Sequence, residues 1–129
     1  MNDLKLKQTD STPYVSFEYK GILEISGKVI PSLEIDFWNP IRSWFDEYLK
    51  DPAKNTVFRL QLDCLNTSSS KEILQMLYRL NELKERGFAA SVNWLYHEND
   101  LDMLEVGHDY EHMVKVPFQF SVVAEETLV

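Results

Sequence analysis

The chain has 129 residues, 44% of them hydrophobic and 12% aromatic, which is enough for one domain with one apolar core. A net charge of −8 excludes the basic stripe that a nucleic-acid partner requires and disfavours an anionic membrane surface. A lone Cys64 suits a reducing compartment, and with no signal peptide after Met1 and no run near the roughly 18 apolar residues of a bilayer span, the expected location is cytoplasmic.

Residues 1–12 are polar and without periodicity, and read as a flexible N-terminal arm ahead of a domain at 13–129. From Tyr14 the pattern turns β-like. Val15, Phe17 and Tyr19 alternate with polar residues, Lys20 and Gly21 offer a turn, and Leu23 and Ile25 alternate again. This predicts a hairpin with one buried face, broken by Gly27 and Pro31. Phe37, Ile41, Trp44, Phe45 and Tyr48 then recur at helical spacing. That helix starts either with Asn39 as N-cap and Pro40 at its first position, or near Ser32 with Pro40 in an early turn, and Asp51-Pro52 stops it.

Thr56 to Leu65 reads as a strand, with Phe58, Leu60, Leu62 and Cys64 on one face. Ile73, Met76, Leu77, Leu80 and Leu83 form the stripe of the clearest helix, which Gly87 terminates. A strand over 89–96, an acidic helix over about 100–111 and a last strand through Phe118, Phe120 and Val122 complete the order ββαβαβαβ. Strands separated by helices imply parallel neighbours, so the expected fold is α/β: a mixed sheet of about five strands, an N-terminal hairpin at its edge and about three helices.

The most informative segment joins the central strand to the clearest helix: Leu65-Asn66-Thr67-Ser68-Ser69-Ser70. Hydroxyl residues belong at helix starts because they satisfy orphan backbone donors. Ser69 with Glu72 fits a capping box, and Thr67 or Ser68 is the alternative cap. The same physics admits a second reading. A helix N-terminus carries free N–H groups and a positive dipole end, a favourable place for phosphate.

Here the sequence resembles the SiaC family of bacterial regulatory phosphoproteins, whose fold is SpoIIAA-like (STAS-like). The Asn66-Thr67-Ser68-Ser69 segment carries the resemblance, with Ser11-Thr12-Pro13, Gly87 before Val92-Asn93-Trp94-Leu95-Tyr96, Glu105-Val106-Gly107 and Pro117-Phe118 in order. It implies a partner switch. A kinase of the anti-sigma type phosphorylates Thr67, a metal-dependent PPM-family phosphatase reverses this, and the unmodified form binds and activates a target such as a diguanylate cyclase that controls biofilm formation. It also implies that Asn66, Ser68, Ser69 and Ser70 shape the loop and cap the helix, that the chain is not an enzyme, and that it needs no cofactor. Ser70 extends the hydroxyl run beyond the family core, so Ser68 or Ser70 is an alternative acceptor.

Other residues carry weaker signals. His108 and His112 stand one turn apart among carboxylates, so the alternative function is a small metal-binding or hydrolytic domain built on them. The pattern is not His-Glu-x-x-His and lacks an evident third ligand, which favours a solvated acidic face. His97 reads as loop polarity at a strand end. Asp63 either positions a hydroxyl or faces solvent. Trp38, Trp44, Phe45 and Tyr48 fit core packing better than an aromatic binding patch, although Trp38 and Trp44 need not both be inside, and Cys64 is expected to be buried.

Overall fold

The computed structural model describes residues 2–32 and 36–123. Residues 124–129 of the domain expected over 13–129 lie outside the described residues. Six strands form one sheet in the order β1-β2-β3-β4-β5-β6: β1 (Leu4–Leu6), β2 (Tyr14–Phe17), β3 (Ile22–Val29), β4 (Asn55–Leu65), β5 (Ala89–His97) and β6 (Phe118–Val123). Three helices alternate with the later strands: α1 (Trp38–Lys50), α2 (Thr67–Glu85) and α3 (Leu101–Met113). β1, β2 and β3 pair antiparallel; β3 through β6 are parallel. Each crossover steps to the next strand without reversal, and right-handed crossovers of that kind place all three helices on one face.

The one-sided cover explains the alternation. In β4, Phe58, Leu60 and Leu62 are buried under the helices, whereas Arg59 is exposed on the open face. The hairpin is as expected. Gly21, at φ +104°, donates its N–H to Glu18 O at 2.9 Å, and a Cβ there would lie 2.2 Å from Asn55 O, so this corner admits glycine alone without rearrangement.

Four expectations need correction. Gly27 does not end β3; it sits at φ +116° beside a β-bulge, and the strand runs on to Val29. The bulge leaves Asp63 unpaired between the partners Gly27↔Leu62 and Lys28↔Cys64. That extra residue inverts the phase of the strand end, so Cys64 is exposed and Leu65 takes the core side. Within the arm expected to be flexible, Leu4–Leu6 pair with β2, Asp3 accepts from Tyr19 N at 2.9 Å, and Trp44 Nε1 donates to Asn2 O at 2.9 Å. The first helix begins at Trp38 rather than at either expected start, with Pro40 in a turn whose N–H groups have no helical acceptor anyway.

Trp38 and Trp44 are both buried in the core with Phe45 and Tyr48. Trp44 and Tyr48 stack 5.1 Å apart, beside Phe17 of the sheet. Arg42–Glu72 and Arg79–Asp46 tie α1 to α2 across the solvent side, exposed pairs worth at most about 1 kcal/mol each. α2 ends in paired bonds from Gly87 N to Lys84 O and Phe88 N to Leu83 O, with Gly87 at φ +95°.

Candidate functional site

The end of β4 and the start of α2 are held by Asn66. Its backbone is extended (φ −84°, ψ 166°), its N–H donates to Val29 O at 3.1 Å, and its Nδ2 donates to Pro31 O at 3.2 Å. Its Oδ1 accepts from Ser69 N at 3.0 Å. Asn66 is therefore the N-cap; Ser69 lies inside the helix as its third residue, so the expected capping box with Glu72 does not form, and Glu72 pairs with Arg42. Only a residue with both an acceptor and a donor can cap the helix and tie it to Pro31 at once.

The four hydroxyls that follow have different fates. Ser69 is fully buried and accepts from Trp38 Nε1 at 3.3 Å. Ser70 donates from Oγ to Tyr110 Oη at 2.8 Å, and Tyr110 donates to Ser70 O at 3.0 Å, locking α3 to the first turn of α2. Burial raises the pKa of Tyr110, against a smaller lowering by the Ser70 hydrogen bond, so the phenol keeps its proton at neutral pH. Ser68 is exposed, with a long 3.4 Å contact from Oγ to Asn66 Oδ1. Thr67 is exposed, in the first position of the helix.

Thr67 borders two depressions. One, of about 400 Å³, has an apolar floor of Leu65, Met103 and Val106 between α2 and α3. The other, of about 640 Å³, opens over Asn66, Ser68 and Glu72. Lys71, one turn along α2, borders both. Lys71 stood four residues from Thr67 in the sequence; the part played by Tyr110 was invisible there, since only the fold brings it to Ser70.

The remaining candidates lie elsewhere. Asp63 accepts from Gln61 Nε2 at 2.8 Å and meets His97 Nε2 at 3.1 Å on the open face of the sheet. His97 is thus part of a side-chain network rather than plain loop polarity. His108 Nδ1 meets Glu111 Oε1 at 3.1 Å and its ring stacks on Phe120, while His112 Nδ1 donates to His108 O at 2.7 Å. Among the described residues no three His, Cys, Asp or Glu side chains could hold a metal ion, so His108 and His112 find no third ligand there. No helix among the described residues is long and apolar enough to cross a membrane.

Because Asn66 caps the helix, Asn66→Ala is expected to destabilise the fold by about 1 kcal/mol or somewhat more. Thr67→Ala should stay within about 0.5 kcal/mol of the parent. Urea unfolding of both variants checks the assignment; a larger loss from Thr67→Ala would make Thr67 the structural residue.

The model of the SiaC family of regulatory phosphoproteins matches residues 6–123. An uncharacterised protein of Pseudomonas aeruginosa (strain UCBPP-PA14) is 27% identical over 119 residues, covering 92% of this chain and 94% of that protein. The crystal structure of apo-SiaC from P. aeruginosa superposes with a TM-score of 0.86 at 26% identity, covering 94% of this chain and 99% of the other. A second solved structure holds the diguanylate cyclase SiaD with its activator SiaC from P. aeruginosa, with a TM-score of 0.87 at 25% identity, covering 94% and 100%. Fold, helix order and the matched span agree: the chain belongs to the SiaC family of regulatory phosphoproteins.

Proposed function

We propose that this chain is the protein-binding element of a bacterial partner switch, with Thr67 as its phosphorylated residue. A kinase of the anti-sigma type adds the phosphate, a metal-dependent PPM-family phosphatase removes it, and the unmodified form binds and activates a diguanylate cyclase in the cytoplasm. The chain itself performs no catalysis and holds no cofactor. The observation that carries this reading is the contrast among the hydroxyls: Ser69 and Ser70 are tied to Trp38 and Tyr110, whereas Thr67 is exposed and makes no such bond among the described residues. SiaC of P. aeruginosa, similar over nearly the whole chain, activates the cyclase with which it was solved.

The chemistry of the switch follows from the helix start. Phosphorylation adds a charge of about −1.5 to −2 beside free N–H groups and the positive end of the α2 dipole. Asn66 holds the cap independently of Thr67, so the helix persists in both states. The modification then changes surface charge and bulk while leaving the fold as it is.

Peptide mass spectrometry on protein purified from its native cells, with and without phosphatase treatment, tests the reading. A phosphatase-sensitive gain of one phosphate on Thr67 is expected. Modification at Ser68 would move the acceptor by one residue, and a segment 65–71 that stays unmodified across growth conditions would overturn the switch.

A further inference from the structure

Two grooves open on the helix layer, and their charges differ. The groove between α1 and α2, about 450 Å³, is lined by Arg42 and Arg79, each already paired with Glu72 or Asp46. It presents no uncompensated charge for a ligand to satisfy. The groove between α2 and α3 has the apolar floor of Leu65, Met103 and Val106, and Lys71 on its α2 rim. Lys71 is exposed and makes no ion pair among the described residues. The opposite rim is α3, which contributes Met103 and Val106 to the groove. Asp102, one turn before Val106, is exposed on that side.

A partner segment that enters this groove meets an apolar floor and, on the α2 side, a lysine without an ion-pair partner among the described residues. We propose that the α2–α3 groove docks the target through an apolar side chain seated on Leu65, Met103 and Val106, with a neighbouring carboxylate of the target bound to Lys71. The inference rests on the switch reading of Thr67 and supplies its mechanism. A phosphate on Thr67 stands one turn before Lys71, the order in which an anion and a cation on a helix attract best. It takes the ammonium from the target's carboxylate and repels that carboxylate at the same time. Thus the modification replaces an intermolecular ion pair with an intramolecular one, and release needs no movement of the backbone.

The test is a binding titration of the purified diguanylate cyclase from the same organism against the full chain and its Lys71→Met, Val106→Glu and Thr67→Glu variants, at low and moderate salt. Lys71→Met is expected to weaken binding about tenfold and to flatten its salt dependence. Val106→Glu should weaken it by more than about tenfold, since it places a charge on the apolar floor. Val106 is only partly buried, and unchanged circular dichroism of both variants separates lost docking from lost fold. If Lys71→Met and Val106→Glu bind like the parent while Thr67→Glu does not, the docking proposal falls and the switch stands. If Thr67→Glu binds like the parent while Lys71→Met is weakened, the groove is the docking site and Thr67 is not its switch.

Discussion

Gly107→Ala is expected to lower the melting temperature by roughly 6–10 °C. Gly107 lies on the buried side of α3, and a Cβ at this position would fall 2.5 Å from Trp94 Nε1 and 2.7 Å from Trp94 Cδ1 and Cε2. The indole cannot swing away: it is fully buried, donates from Nε1 to Met103 O at 3.1 Å, and lies between Tyr110 and Phe118. Overpacking of this kind costs about 3 kcal/mol, and the better helix propensity of alanine returns about 1 kcal/mol, for a net loss of about 2 kcal/mol. The same substitution on a Trp94→Phe background should cost less than the sum of the two single changes, because the smaller ring vacates the space. Thermal unfolding of the single and double variants decides it; an unchanged melting temperature for Gly107→Ala would mean that α3 does not sit this close to β5. Displacing α3 also moves Met103 and Val106, so the groove beside Thr67 depends on a glycine that never touches it.

Thr67→Glu should reduce affinity for the cyclase by about 10- to 100-fold, whereas Thr67→Ala should bind within about twofold of the parent. The glutamate supplies one negative charge where phosphate supplies more, so its effect is a lower bound on that of the modification. Both substitutions leave the Asn66 cap and the Ser70–Tyr110 lock untouched, so neither should change the fold. Isothermal titration of the three proteins reads the difference directly. Equal affinities would remove Thr67 from the mechanism, and a loss confined to Ser68→Glu would transfer its role to the next hydroxyl.

The segment around Thr67 shows how far local pattern carries and where it stops. That a strand ends near Leu65 and a helix begins within the hydroxyl run follows from alternation giving way to a 3.6-residue stripe. Which residue caps the helix does not follow, since Asn, Ser and Thr are near-equivalent caps in isolation. Asn66 prevails because Pro31 lies within reach of its amide, a contact between residues 35 positions apart. The three-residue strand β1 was too short for its Leu-Lys-Leu alternation to stand out from a polar arm. Cys64 departs from its expected burial for a related reason: periodicity assumes an unbroken pleat, and the bulge at Asp63 shifts the phase by one.

By itself the amino-acid sequence determined the type and order of the main elements, the hairpin at Gly21, the one-sided burial of the sheet and the position of the hydroxyl run at a helix start. These are properties of short segments, set by side-chain period and by the few residues that break it. Tertiary structure decided which hydroxyls are free. Ser69 is bound by Trp38 from 31 positions away and Ser70 by Tyr110 from 40 positions away. Those partners meet only when α1, α2 and α3 pack on the same face of the sheet, and that packing leaves Thr67 exposed at the mouth of the groove.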